Sequence, residues 1–361
     1  MEYDSKSLEM IMELSDAFGP SGFEDDVTKV IRKYADGLGE LTEDKMRNLY
    51  IYRKENKGGR PLIMLDAHSD EVGFMVHSIK PNGTLRFVAL GSWNRACFSS
   101  ADVLIKNSVG KEIPGVIAAK PVHFMTQEER TSGGIPEISG FIIDIGARSY
   151  DEAVNDFGIR IGDPVVPASR FHFDREHDLM FGKAFDCRIG VASMIETLRR
   201  LEGVELPCDI VAAASTQEEL GERGCRVAVN HVKPDIAIAF EGCPADDTFM
   251  EPYAIQTALK KGPMLRCMDK SVICSPRFQR FAVDKATEKG LSYQVAVREG
   301  GGNDGAVINN ALEGVPVIVA GVPVRYIHSM NCITSYFDFD ATTKLAVELL
   351  RSIDESVIDS F

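Results

Sequence analysis

A mixed α/β sheet domain interrupted by a small β-rich insertion is the fold class that this sequence predicts, on three observations. The chain has 361 residues, beyond the size at which one hydrophobic core usually stops growing, so two domains are expected. Apolar strand-like runs alternate with helical stretches at the start and over the last two hundred residues. Between about Phe74 and Pro167 the texture changes to short alternating segments, TLRFVAL, DVLIKN, IPGVIAAK and EISGFIIDIGA, broken by Gly, Asn and Pro. Residues 1–73 and 168–361 are therefore expected to form one discontinuous domain and residues 74–167 an inserted β-rich one.

Leu8, Ile11, Leu14 and Phe18 recur at helical spacing, and Gly19-Pro20-Ser21-Gly22 stops that helix. A second helix starts near Glu24, with Val27, Val30, Ile31 and Tyr34 on one face. Leu62 to Asp66 reads as a buried strand delivering AHSDEVGFMV. After the insertion, Val191, Ile195 and Leu198 form the stripe of a helix over Gly190 to Leu201. Strands follow at CDIVAAA, IAIAF (236–240), LSYQVAV (291–297) and PVIVA (316–320), with helices at Ala306–Leu312 and Ala341–Ile353. No internal repeat interrupts this order.

A formal charge of −14 argues against nucleic acid or an anionic membrane as partner and favours cations. No apolar run reaches the eighteen residues a membrane span needs. The 8 cysteines include no CxxC pair and follow no export-like leader, so they are expected as reduced thiols of a cytoplasmic protein.

Acids and histidines gather at strand ends: His68 with Asp70, Asp186, Glu218 with Glu219, Glu241 and His328. Imidazole plus carboxylate suits zinc, cobalt or manganese. Asp186, Glu219 and Glu241 bring three negative charges; with a hydroxide they balance two divalent ions held about 3.5 Å apart. Asp186 could bridge such a pair, with His68 and His328 at its ends. Glu218, left outside, could carry the proton of the bridging water to a leaving amine. Each residue also has a plain structural reading: His68 or His328 as a hydrogen-bonded histidine at the core edge, Asp186 and Asp304 as helix caps, Glu241 as a loop acid. GGGND lacks the dinucleotide spacing, no nucleophile elbow is present, and nothing marks Cys187 as a thiolate.

Taken together, AHSDEVGFMV, PGVIAAKPVHFM, DIGARSYDEA with GIRIGDPVV, KAFDCRIG, STQEELGERG, AIAFEGCPADD, GGGNDGA and RYIHS resemble the M42 metallo-aminopeptidases, the family that includes glutamyl aminopeptidases and CelM-like proteins once labelled endoglucanases. The resemblance spans nearly the whole chain. It implies an α/β metallopeptidase domain with an inserted small β-barrel, PDZ-like, that contributes to assembly. It implies His68 and His328 as terminal ligands, Asp186 as bridge, Glu219 on one metal and Glu241 on the other, Glu218 as general base and acid, and Asp70 behind His68 orienting its imidazole. The implied activity is hydrolysis of the N-terminal peptide bond of short peptides by a metal-bridging hydroxide, using two zinc or cobalt ions, or manganese, per subunit. Dimers building a twelve-subunit shell are the implied assembly. Three positions depart from the family pattern: Glu241 where aspartate is frequent, Asn303-Asp304-Gly305 where GGTDA is frequent, and Phe249 where a proline often stands. The competing readings are a metal-dependent deacylase of N-acylated amino acids and a shell-forming homologue without activity; a glycosidase would call for two opposed carboxylates and no metal. For acidic substrates, Arg266, Arg277 and Arg298 are the available basic groups.

Overall fold

The computed structural model describes residues 3–131 and 134–361. It divides into two units, one of residues up to Glu71 with Phe171–Ile327 and Asn331–Phe361, the other of Val72–Arg170 with His328–Met330. In chain order the helices are α1 (Ser5–Asp16), α2 (Asp25–Ala35), α3 (Gln127–Thr131), α4 (Tyr150–Asn155), α5 (Phe185–Arg200), α6 (Arg223–Val232), α7 (Pro276–Glu288), α8 (Gly305–Asn309), α9 (Tyr336–Ser352) and α10 (Glu355–Ile358). The larger unit's strands are β1 (Gly39–Glu43), β2 (Leu49–Arg53), β3 (Leu62–His68), β10 (His172–Asp174), β11 (Leu179–Gly182), β12 (Asp209–Ser215), β13 (Ile236–Pro244), β14 (Met264–Met268), β15 (Gln294–Val297), β16 (Val317–Val324) and β17 (Cys332–Thr334). The smaller unit supplies β4 (Gly73–Ile79), β5 (Leu85–Leu90), β6 (Ala101–Lys106), β7 (Glu112–Ala118), β8 (Ile142–Asp144) and β9 (Pro164–Pro167).

An eight-stranded mixed sheet organises the larger unit in the order β1-β2-β12-β3-β13-β16-β14-β15. Its four central strands are parallel, whereas β2 and β14 join them antiparallel. Every residue of β12 and β16 is buried, as expected for strands covered on both faces. Alternate side chains separate into two cores. Ile63, Leu65, Ile210, Ala212, Ile238, Phe240 and Ile318 pack with residues of α1, α2, α5 and α9. Met64, Val211, Ala213, Ala237, Ala239, Val317 and Val319 pack on the other face with residues of α6 and α8. Several helix starts are fixed by their own sequence: Asp4 accepts from Lys6 N, and Ser335 from Asp338 N.

In the smaller unit six antiparallel strands close in the order β4-β5-β8-β7-β6-β9, so no strand edge is left open. Its core is aromatic, with Phe74 stacked on Trp93 at 4.7 Å and Phe98 edge-on to Phe74 and Phe141.

Several elements differ from the sequence expectation. β3 runs to His68 and β13 to Pro244, so His68 and Glu241 lie inside strands rather than after them. α5 begins at Phe185, because the apolar stripe that marks a helix does not record its first turn. The β1–β2 hairpin and the three-stranded sheet β10-β11-β17 were not anticipated. Strands of three to five residues, several bearing charges, are too short to show a period.

Candidate metal centre

Three parallel strands carry the chemistry to one end of the sheet. Ser215, the last residue of β12, pairs with His68, the last of β3, and β13 lies on the other side of β3. The C-terminal ends of parallel strands are where open α/β sheets bind ligands. With period two, His68 and Glu241 fall on the same sheet face as Met64, Ala237 and Ala239. Asp186 comes from the first turn of α5, where its ψ of 107° departs from helical geometry. Beyond β12 the chain turns through Gln217, at a left-handed φ of 56°, into the helical turn Glu218–Leu220. A non-glycine residue there costs roughly 1–3 kcal/mol, so surrounding contacts must hold the turn.

At the centre is Nε2 of His68, a residue 2% exposed. It lies 3.2 Å from Asp186 Oδ1, 3.7 Å from Glu241 Oε2 and 3.8 Å from Glu218 Oε2. Ligand atoms of His68, Asp186, Cys187 and Glu241 all lie within 4.8 Å of one another, as do those of His68, Glu218 and Glu219, and those of Asp186 and Glu219. Asp186, Glu218 and Glu241 thus crowd three carboxylates around one imidazole nitrogen. Burial, with Asp186 beside it, pushes Glu241 up to about 8, and burial likewise raises Glu218 well above the usual carboxylate range. Burial opposes a charge on His68, yet the surrounding acids raise its pKa well above the ordinary histidine value. This set of one nitrogen and several oxygens with excess negative charge fits a divalent cation.

Asp70 is fully buried, and its carboxylate acts as a hub. Oδ1 lies 3.3 Å from His68 Nδ1 and accepts the Glu218 N–H at 3.0 Å; Oδ2 accepts the Glu219 N–H at 3.2 Å and the Ser21 hydroxyl at 2.5 Å. Burial pushes Asp70 up, but these partners, His68 first, hold it below the usual carboxylate value. His68, Asp70, Asp186, Glu218, Glu219 and Glu241 therefore come together in the larger unit. His328 follows β16 by four residues, has a left-handed φ of 54°, and falls in the short segment grouped with the barrel unit.

Cys187 donates its thiol to the Phe240 carbonyl at 3.2 Å, and burial raises its pKa well above that of a free thiol, which removes the nucleophile reading. All eight cysteines are free. Asp304 caps no helix through its side chain; it accepts from Ser215 Oγ at 2.8 Å beside buried Asp66 and Cys225. That second buried cluster leaves no mark in the sequence, because Asp66 is one more residue of an apolar strand. Of the three arginines, Arg266 is buried, held by Asp269 at 2.7 Å, and opposes, without cancelling, the upward shift that burial imposes on Glu241. Arg298 is tied to Asp246 at 2.7 Å, and Arg277 lies on α7 toward the Phe361 carbonyl.

A buried histidine–carboxylate cluster at the C-terminal ends of parallel strands fits a metal-dependent hydrolase. The model of the family described as M42 glutamyl aminopeptidase matches residues 48–345. The chain is 35% identical over 327 residues to the glutamyl aminopeptidase of Lactococcus lactis subsp. cremoris (strain MG1363), covering 90% of both chains. Among solved structures it resembles a TET aminopeptidase from the marine sediment archaeon Thaumarchaeota archaeon SCGC AB-539-E09, at TM-score 0.94 and 34% identity, covering 98% of this chain and 99% of that one. It also resembles the TET1 peptidase of Pyrococcus horikoshii, which can assemble into a tetrahedron or a large octahedral shell, at TM-score 0.86 and 26% identity, covering 96% and 100%. The chain belongs to the M42 family of metallo-aminopeptidases.

Proposed function

We propose that this enzyme removes the N-terminal residue of short peptides at a centre of two divalent ions, with Glu218 as general base and acid. The observation that carries the reading is the convergence of Asp186, Glu241 and Glu218 on His68 Nε2 at 3.2, 3.7 and 3.8 Å. His68, Asp186, Glu219, Glu241 and His328 would hold the ions, zinc or cobalt by their mixed nitrogen and oxygen donors, with manganese also accommodated. When bound, the ions supply Lewis-acid polarisation of the scissile carbonyl and lower the pKa of water. Glu218 receives the proton of the attacking water at its carboxylate and delivers it to the leaving amine. Asp70 keeps the His68 imidazole and the backbone of Glu218 and Glu219 in place. We assign residues 1–73 with 168–361 to catalysis and 74–167 to assembly into a homo-oligomeric shell; the division of the structure after Glu71 and Arg170 and the assembly of the Pyrococcus horikoshii relative support this. Eight free cysteines fit a reducing, cytoplasmic setting. Among the described residues no helix is long and apolar enough to cross a membrane.

Glu218→Gln keeps the side-chain volume and removes the proton acceptor. It should retain the metal content of the parent while losing turnover by roughly 10²–10⁴-fold; full turnover in that variant would remove Glu218 from the chemistry. Rates on amides with N-terminal Glu, Leu and Lys read the preference directly. A strong bias to Glu that disappears in Arg266→Met would place Arg266 in substrate recognition.

A further inference from the structure

We propose that Glu24 is a positioning residue for Glu218, acting through the backbone of the turn that carries it; this rests on the reading of that acid given above. Three consecutive N–H groups in that turn donate to buried carboxylates. Gln217 N donates to Glu24 Oε1 at 3.1 Å, Glu218 N to Asp70 Oδ1 at 3.0 Å, and Glu219 N to Asp70 Oδ2 at 3.2 Å. Glu24 stands at the N-cap of α2, where an acid commonly caps its own helix, yet it makes no side-chain bond to that helix. Its Oε1 instead takes Gly22 N at 2.7 Å and reaches across 193 positions of sequence to Gln217. The residue it holds has a left-handed φ of 56°, a conformation that L-residues avoid unless contacts impose it.

The segment carrying Glu24 is itself fixed. Arg188 Nη2 donates to the Gly19 carbonyl at 2.9 Å, and Glu71 N donates to the same carbonyl at 3.1 Å. Glu71 is in turn paired with Lys183 at 2.6 Å and with Arg188 at 3.3 Å. Ser21 of this loop donates to Asp70 at 2.5 Å, so both carboxylates that hold the turn are tied to one loop near the start of the chain. Glu24 touches neither the reacting atoms nor His68 in any of these bonds. It sets where the Glu218 carboxylate stands.

The test uses the full-length, metal-loaded enzyme with Glu24→Ala, Glu24→Gln and Glu24→Asp, measuring kcat, KM, bound metal and Tm on an N-terminal aminoacyl p-nitroanilide. Gln keeps an oxygen at the Oε1 position, whereas Asp withdraws it by one methylene. Glu24→Ala should lower kcat by about 10–100-fold, the size expected of a misplaced catalytic group, with KM and metal content near those of the parent. Glu24→Gln should restore kcat to within about threefold, since the bond and not the charge does the positioning. Parent-like kcat in Glu24→Ala, or a loss in Glu24→Gln as deep as in Glu24→Ala, would overturn the proposal. If Glu24→Ala does not fold, the comparison passes to the other two: Asp must fall below Gln, and the reverse order overturns it. Glu218→Gln separates the two levels of the reading. Full activity there defeats the assignment of Glu218, whereas an inactive Glu218→Gln beside an active Glu24→Ala defeats only the role of Glu24.

Discussion

Replacing Asp70 should damage metal binding and turnover together, by amounts that the structure allows to be estimated. Its two oxygens accept the N–H groups of Glu218 and Glu219 and the Ser21 hydroxyl, and Oδ1 faces His68 Nδ1 at 3.3 Å. Asp70→Ala strands two part-buried amides, and with ~1–3 kcal/mol as the upper range for each unpaired group the turn loses at most about 2–6 kcal/mol of support. The imidazole also loses the carboxylate that favours its proton on Nδ1 and leaves the Nε2 lone pair for a cation. Loss of such an orienting partner typically weakens metal binding by ~10–100-fold. Asp70→Asn is the sharper variant, because it preserves shape. Its carboxamide has one acceptor oxygen where the carboxylate has two, so its NH₂ must face either His68 Nδ1 or the Glu219 N–H. The first choice favours the wrong imidazole tautomer and the second breaks a bond that holds the Glu219 backbone. Metal affinity by competition with a chromogenic chelator, with kcat on an aminoacyl p-nitroanilide, should therefore fall for Asn by at least ~10-fold and further for Ala. An Asp70→Asn enzyme matching the parent in both quantities would refute the orienting role.

Metal loading should also depend on pH, with a fixed sign. Glu241 is pushed by burial and by Asp186 from 4.5 up to about 8 in the metal-free protein. Between those values the folded state holds a proton that the unfolded chain has lost, so the stability contributed by protonated Glu241 is full below 4.5 and is lost as pH rises through about 8. A cation requires the carboxylate; thermal-shift measurements should show a larger gain in Tm on adding zinc at pH 8.5 than at pH 6, and an equal or reversed gain would contradict this. Gly242→Ala places a Cβ 2.4 Å from the Phe185 carbonyl and 2.8 Å from Asp186 N and Cα. The start of α5 must then shift, costing about 1–3 kcal/mol and moving Asp186, and unchanged Tm and metal affinity would show that the contact is not limiting.

Long-range architecture was legible in this sequence where side-chain period and burial agreed. CDIVAAA, IAIAF and PVIVA read as buried strands because β12, β13 and β16 are covered on both faces and need no polar positions. The texture change near Phe74 showed an insertion because a closed barrel of short strands cannot share the period of βαβ units. That His68, Asp70, Glu218 and Glu241 are candidates was legible because strand ends are where acids and imidazoles interrupt apolar runs. The buttress was not. Ser21 and Glu24 looked like a helix stop and a helix start, and their hydrogen bonds to Asp70 and Gln217 depend on a fold that brings positions far apart in sequence together. Asp66 was missed for the same reason, as was the diversion of Asp304 from helix cap to partner of Ser215. A single sequence records which residues are polar, but not which distant polar group each one meets.

On the proposed function, two divalent ions would sit among His68, Asp186, Glu219, Glu241 and His328 while Glu218 stays outside their coordination. Anomalous diffraction from crystals of the zinc-loaded enzyme, collected above and below the zinc edge, tests it most directly. Two anomalous peaks about 3.5 Å apart, both within bonding distance of Asp186 and neither bound by Glu218, are predicted. A single peak, or a zinc ion coordinated by Glu218 in place of Glu219, would contradict the account.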